Sequence, residues 1–190
     1  MYKELVEVSK FENNERYKNG IFINKEAKLV YATNGSSLFV DRGLFNQVAG
    51  IARLLDSDAL VYNDKTDTLD KDTKATPIIT DFIKESQLTD RKKFSVTLPE
   101  WLGSVSKKEK KPLITFNVEG KTPSITLGGK GITFNAKLLR TNGAKNVDMY
   151  VKGEKDPAYI LPQGKTLDNA EWFYIVMPIV NNEVEETIKA

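Results

Sequence analysis

Apolar side chains recur at every second position early in the chain: Ile21 and Ile23, then Leu29 and Tyr31, then Leu38 and Val40. Between these runs stand the turn-forming pieces Asn24-Lys25-Glu26-Ala27 and Asn34-Gly35-Ser36-Ser37. Successive side chains of a strand point to opposite faces, so alternation bounded by turn residues predicts half-buried strands in a meander. The period then changes. Leu44, Phe45, Val48, Ile51, Ala52, Leu54 and Leu55 follow at helical spacing and leave Asn46, Gln47, Gly50 and Arg53 on the other face. This predicts an amphipathic helix over 44–55. Asp41, just upstream, is placed to accept bonds from the free amides of its first turn. Ala59-Leu60-Val61-Tyr62 returns to a strand pattern. Strands, a helix laid on the sheet, and strands again define an α+β unit.

The flanking segments are less regular. Residues 1–19 carry Leu5, Val6, Val8 and Phe11 before a polar run, which fits either a short helix or an edge strand. Residues 63–76 are rich in Asp and Thr and read as an exposed loop or long hairpin tip. Pro77-Ile78-Ile79 reads as a short strand and Asp81 to Glu85 as a helical turn. Phe94, Val96 and Leu98 form a strand running into a second helix over 98–106, buried through Trp101, Leu102 and Val105. Thr97 and Glu100 have capping-box spacing, and Pro99 is tolerated in a first turn, where its missing donor is not needed. A lysine-rich end follows, and Pro112 stops the helix.

From Leu113 onward the chain reads as strands. Gly128-Gly129-Lys130-Gly131 lacks the spacing of a phosphate-binding loop and reads as a hairpin turn, and Asn142-Gly143 is a second turn signal. Val147, Met149 and Val151 alternate, as do Tyr159 and Leu161. Trp172 to Val180 is the most apolar run and is expected at the centre of a sheet until Pro178, which cannot donate to a ladder. Residues 181–190 are expected to form a flexible tail.

Composition narrows the chemistry. A chain of 190 residues with 40% hydrophobic and 28% charged residues is ordinary for a globular protein. A net charge of +2 creates no general demand for nucleic acid. Cysteine and histidine are both absent, which removes thiolate chemistry, the usual general base and the commonest zinc ligands. No apolar stretch reaches membrane-spanning length and no export signal is visible, so a cytoplasmic location is expected, with no membrane partner. Asp64, Asp67, Asp70 and Asp72 offer oxygen ligands but not the spacing of a calcium loop, so a solvated loop is preferred and no metal is expected. Glu100, Asp148 and Glu171 are the candidates for carboxylate-only hydrolysis, yet each stands singly, without spacing that suggests a pair. The expectation is a protein without cofactor and without catalysis. The lysine run at 107–111 has two readings, a solvated helix end that complements the helix dipole or a patch contacting phosphates.

Two halves emerge, about 1–80 around helix 44–55 and 81–180 around helix 98–106, with no clean linker. They read as a pseudo-twofold repeat within a single domain over 1–180. Asn19-Gly20-Ile21-Phe22-Ile23 with Lys28 to Gly35 resembles the opening hairpin of a domain of the bacterial DNA sliding clamp, the DNA polymerase III beta subunit. Phe45-Asn46 leading through the helix to Ala59-Leu60-Val61-Tyr62 resembles that family's helix-then-strand step, and Phe134 to Leu139 resembles it again. Tyr174-Ile175-Val176-Met177-Pro178-Ile179 closely resembles the segment that closes the last clamp domain.

The resemblance implies antiparallel sheets outside, helices on an inner wall that meets double-stranded DNA, and a non-enzymatic role. The DNA-facing residues it implies are Arg53, Lys107, Lys108, Lys110 and Lys111. It also implies an apolar pocket for short linear motifs of replication or repair proteins, with Ile175, Met177, Pro178 and Ile179 in its wall. Ordinary core packing is the alternative for those four. Clamps close as rings of several domains, so a chain of this length would need further copies in a homo-oligomer, or would serve as a protein-interaction module that encircles nothing.

Overall fold

The structure, a computed structural model, describes residues 3–10, 17–63, 65–72, 76–97, 113–118, 124–126 and 131–179. The opening segment resolves as a helix, α1 (Lys3–Lys10). Leu5, Val6 and Val8 are buried, and α1 packs on the first three strands: β1 (Gly20–Asn24), β2 (Leu29–Thr33) and β3 (Ser37–Asp41). Next comes α2 (Phe45–Leu55), which buries Val48 and Ala52. Removing a Val side chain of this kind from water is worth about 1.5–3 kcal/mol. The Asp41 carboxylate accepts the Leu44 N–H at 2.9 Å, as the sequence predicts. Leu54 departs from its predicted face: it is 87% exposed, because α2 packs through a stripe centred on Val48 and Ala52.

β4 (Ala59–Asn63) and β5 (Thr68–Lys71) pair as a hairpin, with β5 inside the Asp- and Thr-rich stretch. After a 3-10 turn at Glu85–Leu88 come β6 (Lys92–Val96), β7 (Leu113–Asn117), β8 (Ser124–Thr126) and β9 (Ile132–Asn135). β10 (Val147–Val151), β11 (Ala158–Pro162) and β12 (Trp172–Val176) are the last described strands. Nine strands form one sheet in the order β5-β4-β1-β2-β3-β12-β11-β10-β6, every neighbouring pair antiparallel. The run around Trp172 is central, as expected. It joins the N-terminal meander through β3, with Tyr174 opposite Phe39 and Ile175 opposite Leu38.

Both faces of this sheet are buried. The inner face, through Ile23, Val30, Phe39, Tyr174, Ile160, Met149 and Phe94, packs against α1, α2 and the smaller sheet. Phe39 stacks on Tyr174 with ring centroids 4.4 Å apart, and Phe94 meets Phe116 of β7 edge-on at 5.2 Å. The outer face, through Phe22, Tyr31, Val40, Phe173, Ile175 and Tyr159, is covered by Ile79, Ile83, Leu88 and Leu167.

Two expectations are corrected, and others fall outside the described residues. Pro77-Ile78-Ile79 is not a strand. β8 and β9 do not pair with each other as the expected hairpin requires, because they lie on opposite sides of β7 in the order β8-β7-β9; Gly128, Gly129 and Lys130 lie outside the described residues. The two described helices that share one face are α1 and α2; the predicted helix 98–106, Glu100 and Lys107 to Lys111 lie outside the described residues, as does the tail 181–190. The step after Phe134-Asn135 contains a single 3-10 turn, Ala136–Leu138, followed by a turn with Asn142 and Gly143 both at positive φ (46° and 78°). Among the described residues no helix is long and apolar enough to cross a membrane.

Candidate functional site: an apolar cleft beside β12

Strands β5 and β6 are consecutive in the chain yet occupy opposite edges of the nine-stranded sheet. Eight interstrand spacings separate them, roughly 38 Å. The connecting chain therefore has to cross the sheet, and its described part lies on the outer face, with Ile79 buried and Ile83 and Leu88 packed beside it. Irregular backbone on a buried face needs partners for its polar groups. Tyr31 supplies one: its hydroxyl donates to the Pro77 carbonyl at 2.5 Å, and burial pushes the phenol well above its ordinary pKa. The Phe82 N–H donates to the Ile79 carbonyl at 2.9 Å, which turns the connector back on itself.

Where the connector passes β12 it leaves a cleft of about 190 Å³. One wall is Leu38, Ile175 and Met177; the other is Pro77, Ile78, Ile79 and Phe82; Tyr17 and the β2–β3 turn close the ends. That turn is rigidly built. Asn34 Oδ1 accepts the N–H groups of Ser36 and Ser37 at 2.8 and 2.7 Å, Thr33 Oγ1 donates to the Ser37 carbonyl at 2.7 Å, and Gly35 takes φ 93°. The Met177 N–H donates to the Ser36 carbonyl at 2.8 Å, so the backbone is fixed one residue beyond the strand. Among the described residues no charged side chain lines the cleft.

Exposure marks this place. Among the described residues the exposed large hydrophobics are Leu54 on α2, Ile78 at 85%, Phe82 at 41% and Met177 at 40%; the last three line the cleft. Single exposed apolar side chains are common, whereas a convergent group of them marks a surface suited to binding another apolar group.

Of the four residues expected in a pocket wall, Ile175 and Met177 line the cleft. Pro178 is buried and does not line it, and the Ile179 N–H bonds to the Thr133 carbonyl at 2.7 Å, leading the chain toward β9. The connector residues Pro77, Ile79 and Phe82 were not anticipated as site residues. Their signal was an apolar triplet in a polar stretch, followed by an aromatic residue.

Arg53 is exposed in the last turn of α2, on the face opposite the cleft. Asp148 is occupied structurally. Its side chain is fully buried, with Lys93 Nζ at 2.8 Å, the Ser95 hydroxyl at 2.7 Å and the Gly164 N–H at 2.7 Å. Burial alone would raise its pKa, but the bonds from Lys93, Ser95 and Gly164 outweigh that and hold it below the usual carboxylate range. Such a group is a poor proton donor. Glu171 is exposed, and its carbonyl accepts the Arg42 N–H at 2.7 Å. In the β4–β5 hairpin Asp67 accepts the Tyr62 hydroxyl at 2.7 Å and Asp70 accepts Asn63 at 3.3 Å; among the described residues no group of acidic side chains is placed to hold a metal ion.

A wide antiparallel sheet with helices on one face and an apolar cleft against its closing strand defines a clamp-like α+β protein, and comparison with solved structures agrees. The chain superposes on the DNA sliding clamp (DNA polymerase III subunit beta) of Bartonella birtlesii bound to griselimycin, with TM-score 0.55 and 16% identity, covering 94% of this chain and 64% of that one. The DNA polymerase III beta subunit of Thermotoga maritima gives TM-score 0.53 and 18% identity, over 92% and 61% of the two chains. A Caulobacter crescentus sliding clamp gives TM-score 0.53 and 12% identity, over 94% and 62%. The chain thus has the sliding-clamp fold and spans a little over three fifths of the length of these clamps. No protein-family model matches it, and no curated protein matches it.

Proposed function

We propose that this chain is a non-enzymatic sliding-clamp-like protein that works as a partner scaffold in DNA replication or repair, capturing short apolar segments of other proteins in the cleft beside β12. The observation that carries this is the convergence of Ile78, Phe82 and Met177, all exposed, on an uncharged cleft within a clamp fold. The C. crescentus clamp holds polyethylene glycol in a region proposed there to tether beta motifs, which supports a peptide role for clamp folds. In this reading residues 1–180 form one cytoplasmic domain with pseudo-twofold halves. Arg53 with Lys107, Lys108, Lys110 and Lys111 contacts double-stranded DNA, and further copies of the chain complete any ring. Phosphate contacts of this kind are independent of sequence and weaken steeply with salt.

The scaffold is tested with fluorescein-labelled peptides bearing Leu and Phe between neutral residues, followed by anisotropy. The protein should bind a subset of them with little dependence on salt, because no charged side chain among the described residues lines the cleft. Phe82→Ala with Met177→Ala should weaken that binding by roughly tenfold or more, as lost apolar contacts do. Unchanged binding by a folded double variant rejects the cleft. The DNA role is tested separately: binding to closed circular DNA should fall steeply with salt and be weakened by Lys107→Glu plus Lys108→Glu.

A second reading, a protein-interaction module that encircles no DNA, draws on α2. Its exposed positions Asn46, Gln47, Gly50, Arg53 and Leu54 offer a single cation, little charge for a DNA-facing wall. Absence of DNA binding at any salt, with peptide binding intact, selects it.

A further inference from the structure

We propose that Met177 is an oxidation switch for the cleft: a peroxide converts its thioether to the sulfoxide and thereby turns off apolar binding beside β12. This rests on the reading of the cleft as a binding site. The chain has no cysteine and three methionines, so methionine is its only sulfur for two-electron oxidation. Met149 is fully buried in the inner core, opposite Phe94 and Ile160, whereas Met177 is 40% exposed in the cleft wall. Met1 lies outside the described residues. Oxidation follows access, which directs a peroxide in solution to Met177 ahead of Met149.

The chemistry is self-contained. The sulfur lone pair attacks one peroxide oxygen, the O–O bond breaks, an S–O bond forms, and the second oxygen takes the proton and leaves as water. The product places a strong hydrogen-bond acceptor in a wall otherwise made of Leu38 and Ile175, facing Ile79 and Phe82. A polar group left without a donor against an incoming apolar side chain opposes binding. The fold tolerates the change, because Met177 lies one residue past β12 and is held through its backbone N–H rather than its side chain.

The test treats the full chain with graded hydrogen peroxide, maps sulfoxide by mass spectrometry after digestion, and measures anisotropy with a labelled Leu- and Phe-bearing peptide that the untreated protein binds. Met177 should be converted while Met149 is still intact. Affinity should then drop by roughly tenfold or more at unchanged circular dichroism. Methionine sulfoxide reductase should restore binding. Met177→Leu, whatever its starting affinity, should lose its response to peroxide. Oxidation of Met149 before Met177, or full affinity in protein oxidised at Met177, overturns the switch and leaves the cleft standing. Untreated protein that binds none of the peptides removes the cleft reading and the switch with it.

Discussion

Asp148 offers the sharpest check on how the sheet is held. Replacing it with Asn keeps its shape and removes its charge, while Lys93, Ser95 and Gly164 remain as donors around it. A hydrogen bond to a charged group is worth about 1.5–3 kcal/mol. The Gly164 and Ser95 bonds each approach that value because the carboxylate is fully buried, and an amide retains part of each. The Lys93 contribution is discounted, since its side chain is 46% exposed and screened by water. The expected loss is about 2–3 kcal/mol at pH 7.

The sign with pH follows from the depressed folded-state pKa. Such a group contributes its full stabilisation above the pKa of an unfolded-chain aspartate, about 3.9, and loses it as pH falls through the lower folded value. Urea unfolding of wild type and Asp148→Asn from pH 7 to pH 3 should show a difference that is constant above about pH 5 and shrinks toward the acid end. A difference that stays constant with pH, or a loss below about 0.5 kcal/mol at pH 7, refutes the account of Asp148 as an ionised anchor between β6, β10 and the turn at Gly164.

The other expectations concern the cleft and one close approach. Ile175→Ala should cost about 2–5 kcal/mol, as for a fully packed residue, because Ile175 is 4% exposed. Met177→Ala should cost under about 1 kcal/mol while weakening peptide binding; a reversed order in thermal melts contradicts the placement of the two side chains. Tyr31→Phe leaves the Pro77 carbonyl without its donor and should cost about 1 kcal/mol, read as faster hydrogen exchange at the Phe82 N–H, which closes the connector turn. Gly131→Ala should cost about 1–3 kcal/mol or more, since φ is +140° and a Cβ would lie 2.6 Å from the Phe116 carbonyl oxygen; an unchanged melting temperature argues against the packing of β9 on β7.

The strands and α2 were legible because their period is local. What the period did not carry was the face. Ile21 and Ile23 belong to the inner core, whereas Leu29, Tyr31, Leu38 and Val40 belong to the outer one, and every residue of β2 is buried. Alternation in a sheet covered on both sides assigns residues to two cores rather than to core and solvent. The connector was illegible for a different reason. Pro77-Ile78-Ile79 has the composition of a strand, but its position follows from β5 and β6 lying at opposite sheet edges, a fact of topology that no window of sequence contains. Asp148 hid in the same way: its partners come from β6 and from the turn at Gly164, so the sequence shows a lone acid where the fold builds an anchor. Of the closing run from Tyr174 to Ile179, only Ile175 and Met177 line the cleft.

No single segment of the chain builds the cleft. Leu38 and the turn before it come from the N-terminal meander, Pro77 to Phe82 from the connector, and Ile175 and Met177 from the end of the last strand. These meet only because β12 pairs with β3 along five residues, from Trp172 opposite Asp41 to Val176 opposite Ser37. Arg42 braces that seam from one end: its N–H bonds the Glu171 carbonyl at 2.7 Å, its guanidinium donates to the Ala170 carbonyl at 2.8 Å, and it lies over the Phe173 ring at 5.5 Å. The Met177 N–H to Ser36 bond closes the other end, beside the cleft. A ligand seated between Met177 and Phe82 would therefore touch the end of β12 and the connector that crosses it at once, and binding to the folded state alone would stabilise it against unfolding.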